Sequence, residues 1–412
     1  MKFIKKIKTM FNLEKIRSDF KILSEKDSNN IPIYFDSACM SLKPNSVIEA
    51  MNDYYFKFPA CGGRSSHKMG ELVTKKIKNT REIIAKFINA RNENEIIFTR
   101  NTTEGINLLA NSIDFNNGDI VLITEKEHNS NLVPWLYLRE KKGIIVKTIP
   151  LNDDNTFNFE KFLELVKGVK LVSVGYTSNL DGVSVPVKEI IEVAHKNGAL
   201  VCLDAAQTVL HERINVKNLD VDFLVFSGHK MLGPTGTGVL YGKYELLDKL
   251  SAFILGGDTV EYTTYSDYKL LPVPERFEAG LADYAGIIGL GEAVRYLNEI
   301  DFNDIKKHEL ELNSYITEEL LKLPNIKIIG PSDPSKRGGI INFYIEGVDM
   351  HKIALMLDNM ANVSIRSGQH CVHSWFNNKN IKNSARISIA FYNTKKEAEI
   401  LISNLNKIIK II

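Results

Sequence analysis

Cysteine is scarce in this 412-residue chain: Cys39, Cys61, Cys202 and Cys371 are all there is, with no Cys-x-x-Cys pair and no zinc-ligand spacing. So few thiols in so long a chain argue against a disulfide framework and for a reducing compartment, the cytoplasm. Long hydrophobic runs are missing as well, and none reaches the roughly 20 residues that a membrane-spanning helix needs. An excess of one charge is absent too: 52 Lys and Arg face 50 Asp and Glu, for a formal net charge of +2. The basic residues are dispersed apart from the N-terminus, so there is no stripe for nucleic acid to follow. The opening Met1-Lys2-Phe3-Ile4-Lys5-Lys6-Ile7-Lys8 lacks the unbroken apolar stretch and small-residue cleavage site of a signal peptide. It reads as a short basic extension, with weak membrane-surface contact as the alternative. Repeats and low-complexity tracts are absent.

What is present is an ordinary globular composition, 44% hydrophobic and 25% charged, in a chain long enough for two domains. A helix is expected around 13–23, a strand over 31–35 and a long amphipathic helix over 71–87. From there short apolar runs at 96–99, 120–123, 144–146, 171–174, 199–203 and 221–225 alternate with helical segments. That alternation predicts an α/β fold with a mainly parallel sheet buried on both faces. Beyond Gly291 the pattern changes to that of a smaller α+β unit. The expected division is an N-terminal segment over 1–30 that packs with the small domain, a large domain over 31–290 and a small domain over 291–412.

Two of the buried strands deliver polar residues at their carboxyl ends, where open α/β sheets bind ligands. The first ends in Asp204-Ala205-Ala206-Gln207 and the second in Ser227-Gly228-His229-Lys230. An Asp ending an apolar strand must be paired, solvated or ligand-bound, and a plain helix N-cap is the competing reading. An acid for a pyridinium nitrogen and a lysine for covalent attachment are what pyridoxal 5'-phosphate (PLP) asks of its protein. Gln207 could donate to a ring oxygen, and Ser227 and His229 could reach a phosphate. Asn101-Thr102-Thr103-Glu104-Gly105 opens a helix after another strand, where free N–H groups favour phosphate, although a simple Thr cap looks the same. His128, just past a strand, could stack on an aromatic cofactor and shuttle protons near neutral pH. Gly233-Pro234-Thr235-Gly236-Thr237-Gly238 lacks the Lys-Ser/Thr ending of a P-loop and reads as a turn into a strand.

Cys371 lies in Arg366-Ser367-Gly368-Gln369-His370-Cys371-Val372-His373. It is either an incidental thiol or a nucleophile favoured by the neighbouring Arg366, His370 and His373. His370, Cys371 and His373 together could also hold a metal. Arg386, at the start of a strand, suits a substrate carboxylate.

Taken together, these segments resemble the class V aminotransferases of the fold-type I PLP enzymes, and within them the SUF-type (group II) cysteine desulfurases. The resemblance spans nearly the whole chain. It rests on Phe98-Thr99-Arg100-Asn101-Thr102-Thr103-Glu104, Glu127-His128, Ser178-Asn179, Asp204-Ala205-Ala206-Gln207, Ser227-Gly228-His229-Lys230, Arg276-Phe277-Glu278-Ala279-Gly280 and the Cys371 loop. It implies a seven-stranded-type sheet, PLP carried by Lys230, and Asp204 and Gln207 on the ring nitrogen and hydroxyl. It also implies His128 over the ring, Thr102, Thr103, Ser227 and His229 around the phosphate, Asn179 toward both cofactor and substrate, and Arg386 and Arg366 toward the substrate. Cys371 would take sulfur from L-cysteine as a persulfide, release alanine and pass the sulfur to an acceptor protein, within a homodimer. Selenocysteine lyase, another class V lyase or aminotransferase, and a non-catalytic sulfur-transfer scaffold are the alternatives. Three positions depart from the family pattern: Leu281 follows Gly280 where Thr is usual, Gly63 opens Gly63-Arg64-Ser65-Ser66-His67 where His is usual, and Gln369 stands in place of His.

Overall fold

The computed structural model describes residues 11–24 and 31–411; the basic extension lies outside them. The apolar runs form one seven-stranded sheet in the order Ile96–Thr99, Gly238–Gly242, Phe223–Ser227, Leu200–Asp204, Val169–Gly175, Ile120–Thr124 and Ile145–Ile149. All pairings are parallel except those made by Gly238–Gly242, which runs antiparallel to both neighbours. Strands such as Phe223–Ser227 are buried at every position, as a sheet covered on both faces requires. Helices on the two sides seal two separate cores, one around Leu203, Leu224 and Phe226 and one around Ile123, Trp135 and Val225.

Two glycines permit close approach near the future site. A Cβ on Gly105 would come 2.9 Å from Val225 Cγ1, and one on Gly238 would come 2.7 Å from the Asn101 backbone. The start of the Thr102–Ser112 helix can therefore sit directly against the ends of the central strands.

A second sheet, antiparallel, has the order Ile326–Ile329, Ile340–Ile345, Ser384–Ser388 and Arg366–Gly368. The helices Phe302–Leu321, Met350–Ala361 and Lys395–Ile409 supply Leu312, Ile353 and Leu401 to its apolar core. Ile33–Tyr34 pairs in parallel with Val363–Ser364, and Asp36 bridges to Ser388, which draws residues 35–39 toward this sheet.

The helix expected around 13–23 is two helices, Leu13–Ser18 and Lys21–Ser24. The break falls where the Asp19 carbonyl accepts from Asn45 N–H at 2.7 Å and Phe20 buries against Tyr296, Phe391 and Tyr392. The Asn45–Lys57 helix and the hairpin of Val260–Thr263 with Tyr268–Leu270 were not anticipated. The helix buries only Val47 fully and the hairpin strands are largely exposed, so neither carries a strong apolar period.

Candidate active site

Four strands of the large sheet end at one place. Thr124, Gly175, Asp204 and Ser227, each the last residue of its strand, line a single cavity of about 250 Å³. Every residue anticipated for the site lines it: Thr102, Thr103, His128, Asn179, Gln207, His229, Lys230, Arg366, Cys371 and Arg386 join the strand ends Asp204 and Ser227. Its far wall therefore comes from the second sheet.

Asp204 is 8% exposed, and its Oδ1 accepts from Ala206 N–H at 2.9 Å. Among the described residues no cation lies within ion-pair distance. Burial raises its pKa, while the Lys230 charge opposes that rise. Burial likewise depresses the Lys230 amine, with Asp204 pulling the other way. Gln207 Nε2 donates to the Ala38 carbonyl at 2.8 Å, which holds the amide plane at the cavity wall.

At the Thr102–Ser112 helix start, Ser227 Oγ accepts from Thr102 N–H at 2.9 Å and lies 2.8 Å from Thr102 Oγ1. Thr103 Oγ1 is 2.7 Å from Ser130 Oγ. These hydroxyls form a polar cradle at a helix N-terminus, a suitable place for a phosphate.

His128 departs from expectation in one respect. Burial, followed by the charges of Lys230, Arg386 and Arg366, drives its pKa down to about 3, so the ring is neutral at pH 7 and does not titrate there. Its Nδ1 accepts from Ser130 N–H at 3.0 Å, which assigns the ring proton to Nε2. The preceding residue, Glu127, is buried and pushed up to about 7 by desolvation. It accepts from Thr124 Oγ1 at 2.6 Å, Asn131 Nδ2 at 2.7 Å and Gly175 N–H at 2.9 Å, and so ties two strand ends together beneath the cavity.

The Cys371 loop is braced from several sides. His370 and Cys371 have φ of 48° and 59°, two consecutive non-glycine residues in the left-handed region, at a cost of roughly 1–3 kcal/mol each. Asn179 Nδ2 donates to the His370 carbonyl at 2.7 Å, and Asn129 N–H to the Cys371 carbonyl at 2.7 Å. His370 Nε2 lies 2.9 Å from Ser384 Oγ and His373 Nδ1 lies 2.8 Å from Asn129 Nδ2, so the two imidazoles take separate partners. The Cys371 thiol itself is half-buried.

Arg386, 2% exposed, donates from Nη1 to the Asn179 carbonyl at 3.0 Å and from Nη2 toward Asp36 Oδ1 at 3.4 Å. Among the described residues its buried Nε has no partner, a donor that a bound anion would satisfy. Asp36, Cys39 and Lys126 were not anticipated. Asp36 meets Arg386 across 350 residues of sequence, and no local pattern announces such a pair. The three departures from the family pattern sit at the margin: Leu281 is 69% exposed, Gly63 has φ 78°, and Gln369 Nε2 donates to the Lys382 carbonyl at 3.2 Å.

A lysine and a buried, unpaired aspartate at adjacent strand ends, with a hydroxyl-lined helix start opposite, fit PLP in donor set and charge. The architecture is that of the fold-type I PLP enzymes. The chain belongs to the class-V aminotransferase family, whose model matches residues 33–401. It is 38% identical to a probable cysteine desulfurase of Halalkalibacterium halodurans, over 96% of this chain and 98% of that protein. It is 37% identical to a cysteine desulfurase of Escherichia coli O127:H6, over 97% and 98%. Among solved structures, the apo cysteine desulfurase from Thermococcus onnurineus superposes with a TM-score of 0.93 at 36% identity, covering 98% of this chain and all of that one. An Escherichia coli cysteine desulfurase in S-sulfonic acid form gives 0.90 at 30% identity, with the same coverage.

Proposed function

We propose that this protein is a PLP-dependent cysteine desulfurase that converts L-cysteine to L-alanine and stores the sulfur as a persulfide on Cys371. The observation that carries this reading is the placement of a half-buried thiol, Cys371, in the same cavity as Lys230 and the buried Asp204. Lys230 would hold the cofactor covalently and Asp204 its pyridine nitrogen. Gln207 would hold the ring hydroxyl, and Thr102, Thr103, Ser227 and His229 the phosphate. Bound PLP supplies an electron sink next to the substrate's Cα.

The remaining work falls to the chain. Arg386, with its unpartnered Nε, binds the substrate carboxylate, and Asn179 and Arg366 orient it. Neutral His128, a lining residue of the cavity, would help hold the ring, with Nε2–H as its one donor. Lys230, depressed by burial, carries protons at the substrate carbon. Cys371 Sγ bonds to the substrate sulfur as the substrate's Cβ–S bond breaks. L-cysteine plus one thiol thus becomes alanine plus one persulfide, with no external oxidant or reductant.

A homodimer, a protein acceptor for the sulfur, cytoplasmic residence and the division into 1–30, 31–290 and 291–412 belong to the same proposal. The free cysteines suit a reducing compartment, and no described helix is long and apolar enough to cross a membrane. Incubation of the PLP-loaded protein with L-cysteine, followed by mass spectrometry, is expected to show alanine and a persulfide on Cys371. Alanine release that survives Cys371→Ser unchanged would refute the persulfide route.

A further inference from the structure

The cavity holds a second thiol. Cys39 lines it together with Cys371, whereas Cys202 is buried within the sheet and Cys61 is exposed elsewhere. Cys39 follows the Ile33–Tyr34 strand and is half-buried. Its sulfur accepts a hydrogen bond from Arg366 Nη1 at 2.8 Å. Arg366 begins the short strand Arg366–Gly368 that leads into the Cys371 loop, so one guanidinium ties the first thiol to the segment bearing the second. Three further cationic side chains, Lys43, Lys230 and Arg386, lie near Cys39, and Lys230 lies near Cys371 too. A thiol that lines the same cavity as a persulfide-bearing cysteine is a candidate for thiol–persulfide exchange. The proposed desulfurase chemistry leaves this one unused.

We propose that Cys39 is a second sulfur carrier, which takes the sulfane sulfur from Cys371 inside the cavity. This rests on the desulfurase reading above. Cys39 Sγ attacks the terminal sulfur of the Cys371 persulfide. A Cys39 Sγ–S bond forms, the Cys371 Sγ–S bond breaks, and its electron pair stays on Cys371 Sγ, which gains the proton that Cys39 gives up. One thiol and one persulfide exchange places, with no net oxidation. Arg366 stabilises the anionic sulfur on Cys39, and Cys371 is freed for a second substrate.

The test mixes the PLP-loaded protein with a few equivalents of L-cysteine per chain, with no added acceptor or reductant, and quenches early, before free cysteine can remove the sulfur. Alanine should then form as a burst that stops when the sulfur sites are full. The wild-type burst is expected to be about twofold that of Cys39→Ala, as two carriers per chain require against one. Alkylation and peptide mass spectrometry should find sulfane sulfur on both Cys39 and Cys371 in the wild type, and on neither in Cys371→Ser. Cys39→Ser, checked for the visible absorbance of bound PLP, controls for a variant that fails to fold. Equal bursts with Cys39 bare and Cys371 loaded would overturn the relay and leave the desulfurase standing. A Cys39–Cys371 disulfide, or sulfur on Cys39 in Cys371→Ser, would overturn it as well. Sulfur on no cysteine would sink both readings.

Discussion

Asn129 donates its backbone N–H to the Cys371 carbonyl at 2.7 Å. The residue after His128, at the end of the large sheet, thereby holds the loop that the second sheet delivers. Cys371 and His128, which line the same cavity, are thus linked by a hydrogen bond between the two loops that carry them.

That bond can be removed with little backbone strain. His128 has φ −57° and ψ 145°, a conformation compatible with a following proline, and Asn129 opens a short 3-10 turn. Asn129→Pro, which also removes the contact of Asn129 Nδ2 with His373, should therefore keep the fold and the PLP absorbance while slowing persulfide formation roughly 10- to 100-fold, near the worth of two hydrogen bonds. Single-turnover kinetics would measure it, and an unchanged rate would show that the loop needs no such brace.

Arg386→Lys exchanges a planar fork for a point charge at the proposed carboxylate site. Loss of one charged hydrogen bond should raise KM for L-cysteine by roughly 10- to 100-fold. Cofactor affinity, followed by absorbance titration, should change little. An unaltered KM would remove Arg386 from the substrate site.

His370 is 5% exposed, and burial holds its pKa down to about 2, against 6.5 in the unfolded chain. A base depressed by folding contributes stability above pH 6.5 and loses it progressively as pH falls toward 2. Between pH 6.5 and 5 that loss is roughly 2 kcal/mol. Glu127, raised to about 7, acts in the opposite sense: its contribution is complete below pH 4.5 and disappears as pH rises through 7. Denaturant melts should show the wild type losing roughly 2 kcal/mol more than His370→Asn over that acid interval. Parallel pH curves would contradict this.

Lys126 and Asp181 form an ion pair that is 3% and 0% exposed, with Nζ 2.9 and 3.1 Å from the two carboxylate oxygens. Nζ also donates to the Asn155 carbonyl at 2.6 Å. Asp181→Ala strands a buried ammonium and should cost about 3–5 kcal/mol. The double variant Lys126→Met/Asp181→Leu should recover most of that loss in melting experiments. Because Asp181 lies two residues after Asn179, the single variant should also weaken the brace on the His370 carbonyl.

Much of this molecule was legible in one dimension. Runs such as Leu200–Asp204 and Phe223–Ser227 declare themselves because a strand buried on both faces must be apolar throughout. A charge at the end of such a run is expensive unless it has a task, which is why Asp204 and Lys230 stood out. The protonation of His128 was misjudged for a physical reason: a pKa depends on burial and on nearby cations, and Arg386 and Arg366 reach it from a sheet more than 200 residues away.

By itself, then, the order of residues determined the layered fold through its apolar periodicity, while side-chain chemistry together with the family resemblance singled out Lys230, Asp204 and Cys371 as candidates for the site. Tertiary structure alone decided the rest. It joined Asp36 to Arg386, braced two left-handed residues at Cys371, kept His128 neutral and brought Cys39 into the same cavity. Each of these depends on distances across the chain that only the packing of the two sheets sets.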